Sequence, residues 1–278
     1  MKQYYNRLAK PFLKWAGGKR QLLPEIMKYI PADIDVYYEP FVGAGAVLFG
    51  LQPARAVISD TNEELINCYR VIKEQLPELL EDLSRHINDE AYYYQMRDLD
   101  RHAGYYDLTP VQRASRLIFL NKTCYNGLFR VNSQGQFNVP FGRYKAPKFR
   151  DEVVLTAVHE YLNRAEVQLL TADFAKAVER AKAGDFVYFD PPYDPVSPTS
   201  GFTGYDLGGF NRDEQKRLKD VYDELTARGV KCLLSNSATP FILELYRNYD
   251  INIVSANRPI NSVPAKRGKV REVLVKNW

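Results

Sequence analysis

Val36-Tyr37-Tyr38-Glu39-Pro40-Phe41-Val42-Gly43-Ala44-Gly45 decides the fold. It reads as a buried strand that runs into a turn of small residues, after which Ala46 to Leu51 can start a helix. Ala56-Val57-Ile58-Ser59 is a second strand ending at Asp60, and Glu63 to Lys73 and Pro77 to Ile87 carry helical spacing of Leu, Ile and Val. Thr109-Pro110 predicts an N-cap with proline at the first helical position. Strand patterns resume at Val167 to Leu170 and at Asp185-Phe186-Val187-Tyr188-Phe189, the latter ending in Asp190-Pro191-Pro192-Tyr193. A glycine-rich loop follows, then a helix opened by Asn211 with Glu214 three residues on and running to Arg228. Val230 to Leu234, Ile251 to Val254 and Glu272 to Val275 complete the strands. Strands alternating with helices predict an α/β fold: a mostly parallel sheet with helices on both faces. The stretch 72–165 breaks that rhythm, being helical and then loop-rich, and is expected to be an insertion between two halves, 1–71 and 166–278.

The 278 residues suit one α/β core with a smaller appendage. No apolar run reaches the roughly 18 residues a membrane span needs, and Met1 to Lys14 lacks the apolar stretch of a secretory signal. A soluble, cytoplasmic monomer without a membrane is the expectation. Cys68, Cys124 and Cys232 are scattered and odd in number, and His86, His102 and His159 sit near no cysteine pair. Neither a disulfide framework nor a metal site is expected. Leu108 to Arg150 holds eight Lys or Arg and no acid, interleaved with Tyr125, Phe129, Phe137, Phe141 and Tyr144. Such a block suits a polyanion with stackable bases, the alternative being a solvated surface loop.

The turn Glu39 to Gly45 lets a ligand approach the backbone closely. A dinucleotide fingerprint would place glycine where Leu48 stands, and a P-loop would place glycine where Leu13 precedes Gly17-Gly18-Lys19-Arg20. A cofactor without phosphates fits better. Asp60 can accept hydrogen bonds from both hydroxyls of a ribose or cap the next helix. Asp173-Phe174 offers a carboxylate to an adenine amino group and a ring to its face, or a helix cap. In Asp190-Pro191-Pro192-Tyr193 the prolines remove two donors and stiffen the turn, so that Asp190 and the Pro191 carbonyl can accept from an exocyclic amine while Tyr193 stacks on its base. The same tetrapeptide leaves adenine N6, cytosine N4 and RNA adenine open as targets, and a binding protein without turnover stands as a rival from another class.

Phe12 to Lys19, Glu39 to Gly45, Asn126 to Arg130, Phe137 to Gly142 and Asp190 to Tyr193, in that order, together resemble the Dam-type (D12 class) DNA adenine N6-methyltransferases over nearly the whole chain. The resemblance implies a Rossmann-like methyltransferase sheet with an inserted target-recognition domain, S-adenosylmethionine as cofactor and double-stranded DNA as partner, with a flipped adenine in GATC as substrate. It implies that Trp15, Lys19, Asp60 and Asp190 contact or border the cofactor, and the turn residues Glu39, Phe41, Gly43 and Gly45 with Asp173 and Phe174 are expected to complete that site. Asp190, Pro191, Pro192 and Tyr193 carry the chemistry. It further implies that Lys14 and the segment Tyr125 to Pro140 read the site. Arg130 would read a guanine, Leu128 and Pro140 a thymine methyl, and Tyr125 and Asn126 the space beside the displaced adenine. Lys145 is read as a backbone phosphate contact.

Overall fold

The computed structural model describes residues 5–15, 17–19, 21–196, 209–257 and 269–278. Ala16 and most of the glycine-rich loop before Asn211 lie outside the described residues. Seven strands form one sheet: β1 Tyr37–Glu39, β2 Arg55–Asp60, β3 Glu166–Thr171, β4 Phe186–Phe189, β5 Lys231–Ser237, β6 Asp250–Asn257 and β7 Lys269–Lys276, in the order β3-β2-β1-β4-β5-β7-β6. The first five are parallel, and β7 enters antiparallel between β5 and β6. The winding reverses between β1 and β4, which opens a crevice at the carboxyl ends of those strands.

The helices are α1 Leu23–Met27, α2 Ala46–Leu51, α3 Glu63–Glu74, α4 Leu76–Ser84, α5 Glu90–Asp98, α6 Pro110–Thr123, α7 Glu152–Arg164, α8 Phe174–Ala177, α9 Arg212–Ala227 and α10 Pro240–Leu245. Successive strand residues bury on opposite faces of the sheet, as the period of two dictates. Tyr37, Phe186, Tyr188, Leu233 and Leu274 join α2, α3, α6 and α7 in one apolar cluster. Tyr38, Val187, Phe189, Leu234, Val273 and Val275 join α8, α9 and α10 in the other. Burial on both faces is why these strands read as continuous apolar runs.

The first cluster continues from the sheet through α3 into α6 and α7 without a break. The expected cap of α6 is present as a full capping box between Thr109 and Gln112. α4 ends at Ser84, short of the expected Ile87, because His86 turns inward to bond Tyr92 Oη at 2.8 Å and Ser115 Oγ at 2.9 Å. Asn211 caps α9 by accepting from the backbone of Asp213 and Glu214, but the Glu214 carboxylate goes to Arg217 instead of closing a box. Among the described residues no helix is long and apolar enough to cross a membrane, and none group into a metal-binding cluster.

Candidate active site

Four carboxylates expected from the sequence stand at or just past the carboxyl ends of four neighbouring strands: Asp173 after β3, Asp60 on β2, Glu39 on β1 and Asp190 after β4. The backbone between β1 and α2 turns through Gly43 (φ +47°) and Gly45 (φ +71°). A Cβ on Gly45 would lie 2.6 Å from Tyr69 Oη, and one on Gly43 would lie 3.0 Å from the Trp15 indole, so only glycine fits this packing. Asp60 ties that turn to β2: Oδ2 accepts from Gly43 N at 3.2 Å and Oδ1 from Asn62 N at 3.0 Å. The cap of α3 is Asn62, not Asp60.

Glu39 is fully enclosed and accepts from Tyr37 Oη at 2.9 Å and Leu48 N at 3.1 Å. Burial pushes its carboxyl up to about 8, with the Tyr37 hydrogen bond pulling the other way and the nearby charge of Asp190 adding to the rise. Between the ordinary glutamate value and about 8, the folded chain holds a proton that the unfolded chain has released. Stability from this group is therefore complete below that window and declines as pH rises through it, by at most about 1.4 kcal/mol per pH unit. Glu39→Gln, neutral throughout, is expected to flatten this slope in thermal melts followed from pH 5 to 9. An unchanged slope in the variant would assign the effect elsewhere.

Asp190 is 17% exposed, and Lys19, 7% exposed, reaches its Oδ1 at 2.8 Å. Ser235 Oγ donates to the same oxygen at 2.9 Å, and no described residue bonds Oδ2. Burial raises the pKa of Asp190 above the usual carboxylate range, with Lys19 and Ser235 opposing the rise. The Lys19 ammonium also bonds the Gly17 carbonyl at 2.6 Å and sits 4.6 Å from the centre of the Tyr193 ring. Tyr193 is fixed at its far end by donating to Glu272 Oε2 at 2.8 Å. Burial and the charge of Asp190 hold that phenol protonated. Behind the turn, Gln215 Nε2 donates to the Pro192 carbonyl at 2.8 Å, and Asn236 Nδ2 bonds Gln215 Oε1 at 3.0 Å.

Phe41, Phe174 and Phe210 form a cluster beside this row, Phe41 stacking on Phe174 with centroids 5.4 Å apart. Asp173 caps α8 through Ala175 N at 3.0 Å, and its two oxygens pair with Arg217 at 2.9 and 2.6 Å. That pairing holds its carboxyl below the usual range.

The residues expected to read a base gather elsewhere, at the turn that follows α6 and the segment after it. Tyr125 N donates to the Pro140 carbonyl at 2.8 Å, and the segment between them folds back as a hairpin bridged at Val131 and Phe137. Tyr125, Asn126, Arg130 and Pro140 are exposed and Leu128 is half-buried. Arg130 is clipped to Asn138 through Nε to Oδ1 at 2.7 Å and Nη2 to the carbonyl at 3.1 Å. Lys14 runs across Gly127 toward the Tyr144 ring, and Lys145 is exposed. Ser235, Glu272, Gln215 and Asn236 were not anticipated. The one available signal was Ser235-Asn236-Ser237, polar residues continuing a buried strand.

Residues 15–260 match the D12 class N6 adenine-specific DNA methyltransferase family. A type II methyltransferase of Lactococcus lactis subsp. cremoris is 45% identical over 271 residues, covering 97% of this chain and 95% of its own. A type II methyltransferase of Methanocaldococcus jannaschii is 45% identical over 290 residues, with 97% and 99% coverage. A DNA adenine methylase of Serratia marcescens is 36% identical over 266 residues, with 95% and 97% coverage. On these matches the chain belongs to the D12 class of N6 adenine-specific DNA methyltransferases.

Proposed function

We propose that the chain methylates N6 of an adenine turned out of duplex DNA within GATC, using S-adenosylmethionine. The observation that carries this reading is the environment of Asp190: a buried carboxylate with one oxygen held by Lys19 and Ser235 and no described residue on the other, beside an anchored aromatic ring. The Lys19 ammonium already makes the two contacts that an amino group gaining positive charge needs, a hydrogen bond to the carboxylate and a place over the ring. Lys19 yields that place as the base enters.

The residues present fit the cofactor. Gly43 and Gly45 let the turn backbone pack directly on Trp15 and Tyr69, Asp60 at the end of β2 is placed for a ribose, and Phe41, stacked on the buried Phe174, offers an apolar face for an adenine. Trp15, Glu39 and Asp173 border the same row. When bound, the cofactor supplies an electrophilic methyl group on a sulfonium centre. Asp190 and the Pro191 carbonyl accept hydrogen bonds from the target amine and turn its lone pair out of the ring conjugation. Pro192 stiffens the turn, Tyr193 stacks on the base, and Asp190 can take the proton that the amine releases. Alignment of this kind is worth up to ~7 to 11 kcal/mol, against a few kcal/mol for extruding the base.

Residues 72–165 serve in this reading as the target-recognition part and 1–71 with 166–278 as the catalytic part. Lys14, Tyr125, Asn126, Leu128, Arg130 and Pro140 face the bases, and Lys145 a phosphate. Expression in a host free of adenine methylation, followed by sequencing for modified bases, tests the site. N6-methyladenine confined to GATC is expected. Modification at another sequence would overturn the assigned specificity, and modification of cytosine would overturn the target base.

A further inference from the structure

We infer that Asn121 is a positioning residue that couples methyl-donor occupancy to DNA recognition, by clasping the strap that carries Lys14, Trp15 and Lys19 against the recognition turn. This rests on the cofactor and DNA sites proposed above. Asn121 lies near the end of α6 and is fully buried. Its Oδ1 accepts from Lys14 N at 2.8 Å, and its Nδ2 donates to Lys14 O at 2.8 Å and to Gly127 O at 3.4 Å. One side chain thus satisfies both backbone groups of Lys14, as a neighbouring strand would, and reaches the turn Tyr125–Gly127 with the same amide.

Two further contacts tie the strap to the same turn. A Cβ on Gly127 would fall 2.1 Å from Lys14 Cδ, so the Lys14 side chain lies directly on the turn backbone. Trp15 stacks on Phe129 with centroids 4.4 Å apart and planes 22° apart. At its other end the strap meets the catalytic crevice, Trp15 against Gly43 and Lys19 on Asp190. The strap is therefore one short segment packed on both sites. α6, fixed by its capping box and by packing against α3 and α4, supplies a rigid post for it. An occupant that shifts Lys19 or Trp15 must work against the clasp, and the clasp delivers that shift to Gly127 and Phe129. Coupling carried by a shared element is reciprocal between the two ligands.

The test measures the dissociation constant of a labelled GATC duplex with and without saturating S-adenosylhomocysteine, and that of S-adenosylhomocysteine with and without the duplex, for the wild type and Asn121→Ala. In the wild type each ligand is expected to tighten the other by about tenfold or more. In Asn121→Ala this factor should fall to about twofold or less, while the affinity for S-adenosylhomocysteine alone stays within about threefold. Should Asn121→Ala lose its cooperative melt, Phe129→Leu, which removes the Trp15 stack, is expected to reduce the factor in the same direction. An undiminished factor in a folded variant overturns the inference, as does a wild type that binds both ligands independently. A wild type that binds neither ligand would instead overturn the reading on which the inference rests.

Discussion

Asp190→Asn is expected to lower the single-turnover rate of methyl transfer by about 100- to 1000-fold at saturating DNA and cofactor, the scale of removing one preorganised electrostatic group. Asparagine keeps the volume and one acceptor but replaces the second oxygen with a donor and removes the charge that balances a cationic amine. The fold should survive. Asp190 is buried against its preference for solvent, which is why its pKa is raised, so neutralising it relieves a desolvation cost. Lys19 loses its partner in exchange, but retains the Gly17 carbonyl and the Tyr193 ring. A melt within a few degrees of wild type together with the lost rate would place the defect in chemistry. A variant with near-normal turnover would remove Asp190 from the mechanism.

Arg130→Ala should cost about 1 to 3 kcal/mol of discrimination at one guanine, roughly 5- to 150-fold in the ratio of cognate to substituted duplex. The guanidinium uses Nε and one Nη2 hydrogen on Asn138, which leaves a fork of donors for a base edge from a side chain already held in place. Competition binding with duplexes altered one base at a time reads the effect. Discrimination should collapse at a single position and persist at the others. Loss spread evenly over all positions would make Arg130 a backbone contact instead.

Both turns that build the crevice were legible because their chemistry is local: a strand period broken by small residues at Gly43 and Gly45, and by prolines at Pro191 and Pro192. The sheet itself followed from the apolar runs, as did the cap of α6 from Thr109-Pro110. The antiparallel entry of β7 left no such trace, because its register with β5 and β6 is a long-range choice. Nor did the supports of the site. Ser235 and Glu272 come from strands far along the chain, and each reads alone as an ordinary polar residue. Asp60 shows a finer limit: position left ribose binding and helix capping equal, and only the structure shows Asn62 taking the cap. α7 also went unread, although Asp151 caps it, because the basic loop before it masks where regular structure resumes.

The central claim is that the acidic corner after β4 directs a methyl group onto an adenine amino nitrogen. Incubating the purified chain with methyl-labelled S-adenosylmethionine and a duplex bearing one GATC, then digesting the DNA and separating the nucleosides, tests it directly. All label is predicted in N6-methyladenosine of the deoxy series, one methyl per strand. Label in N4-methylcytosine, or none with both ligands saturating, would contradict it.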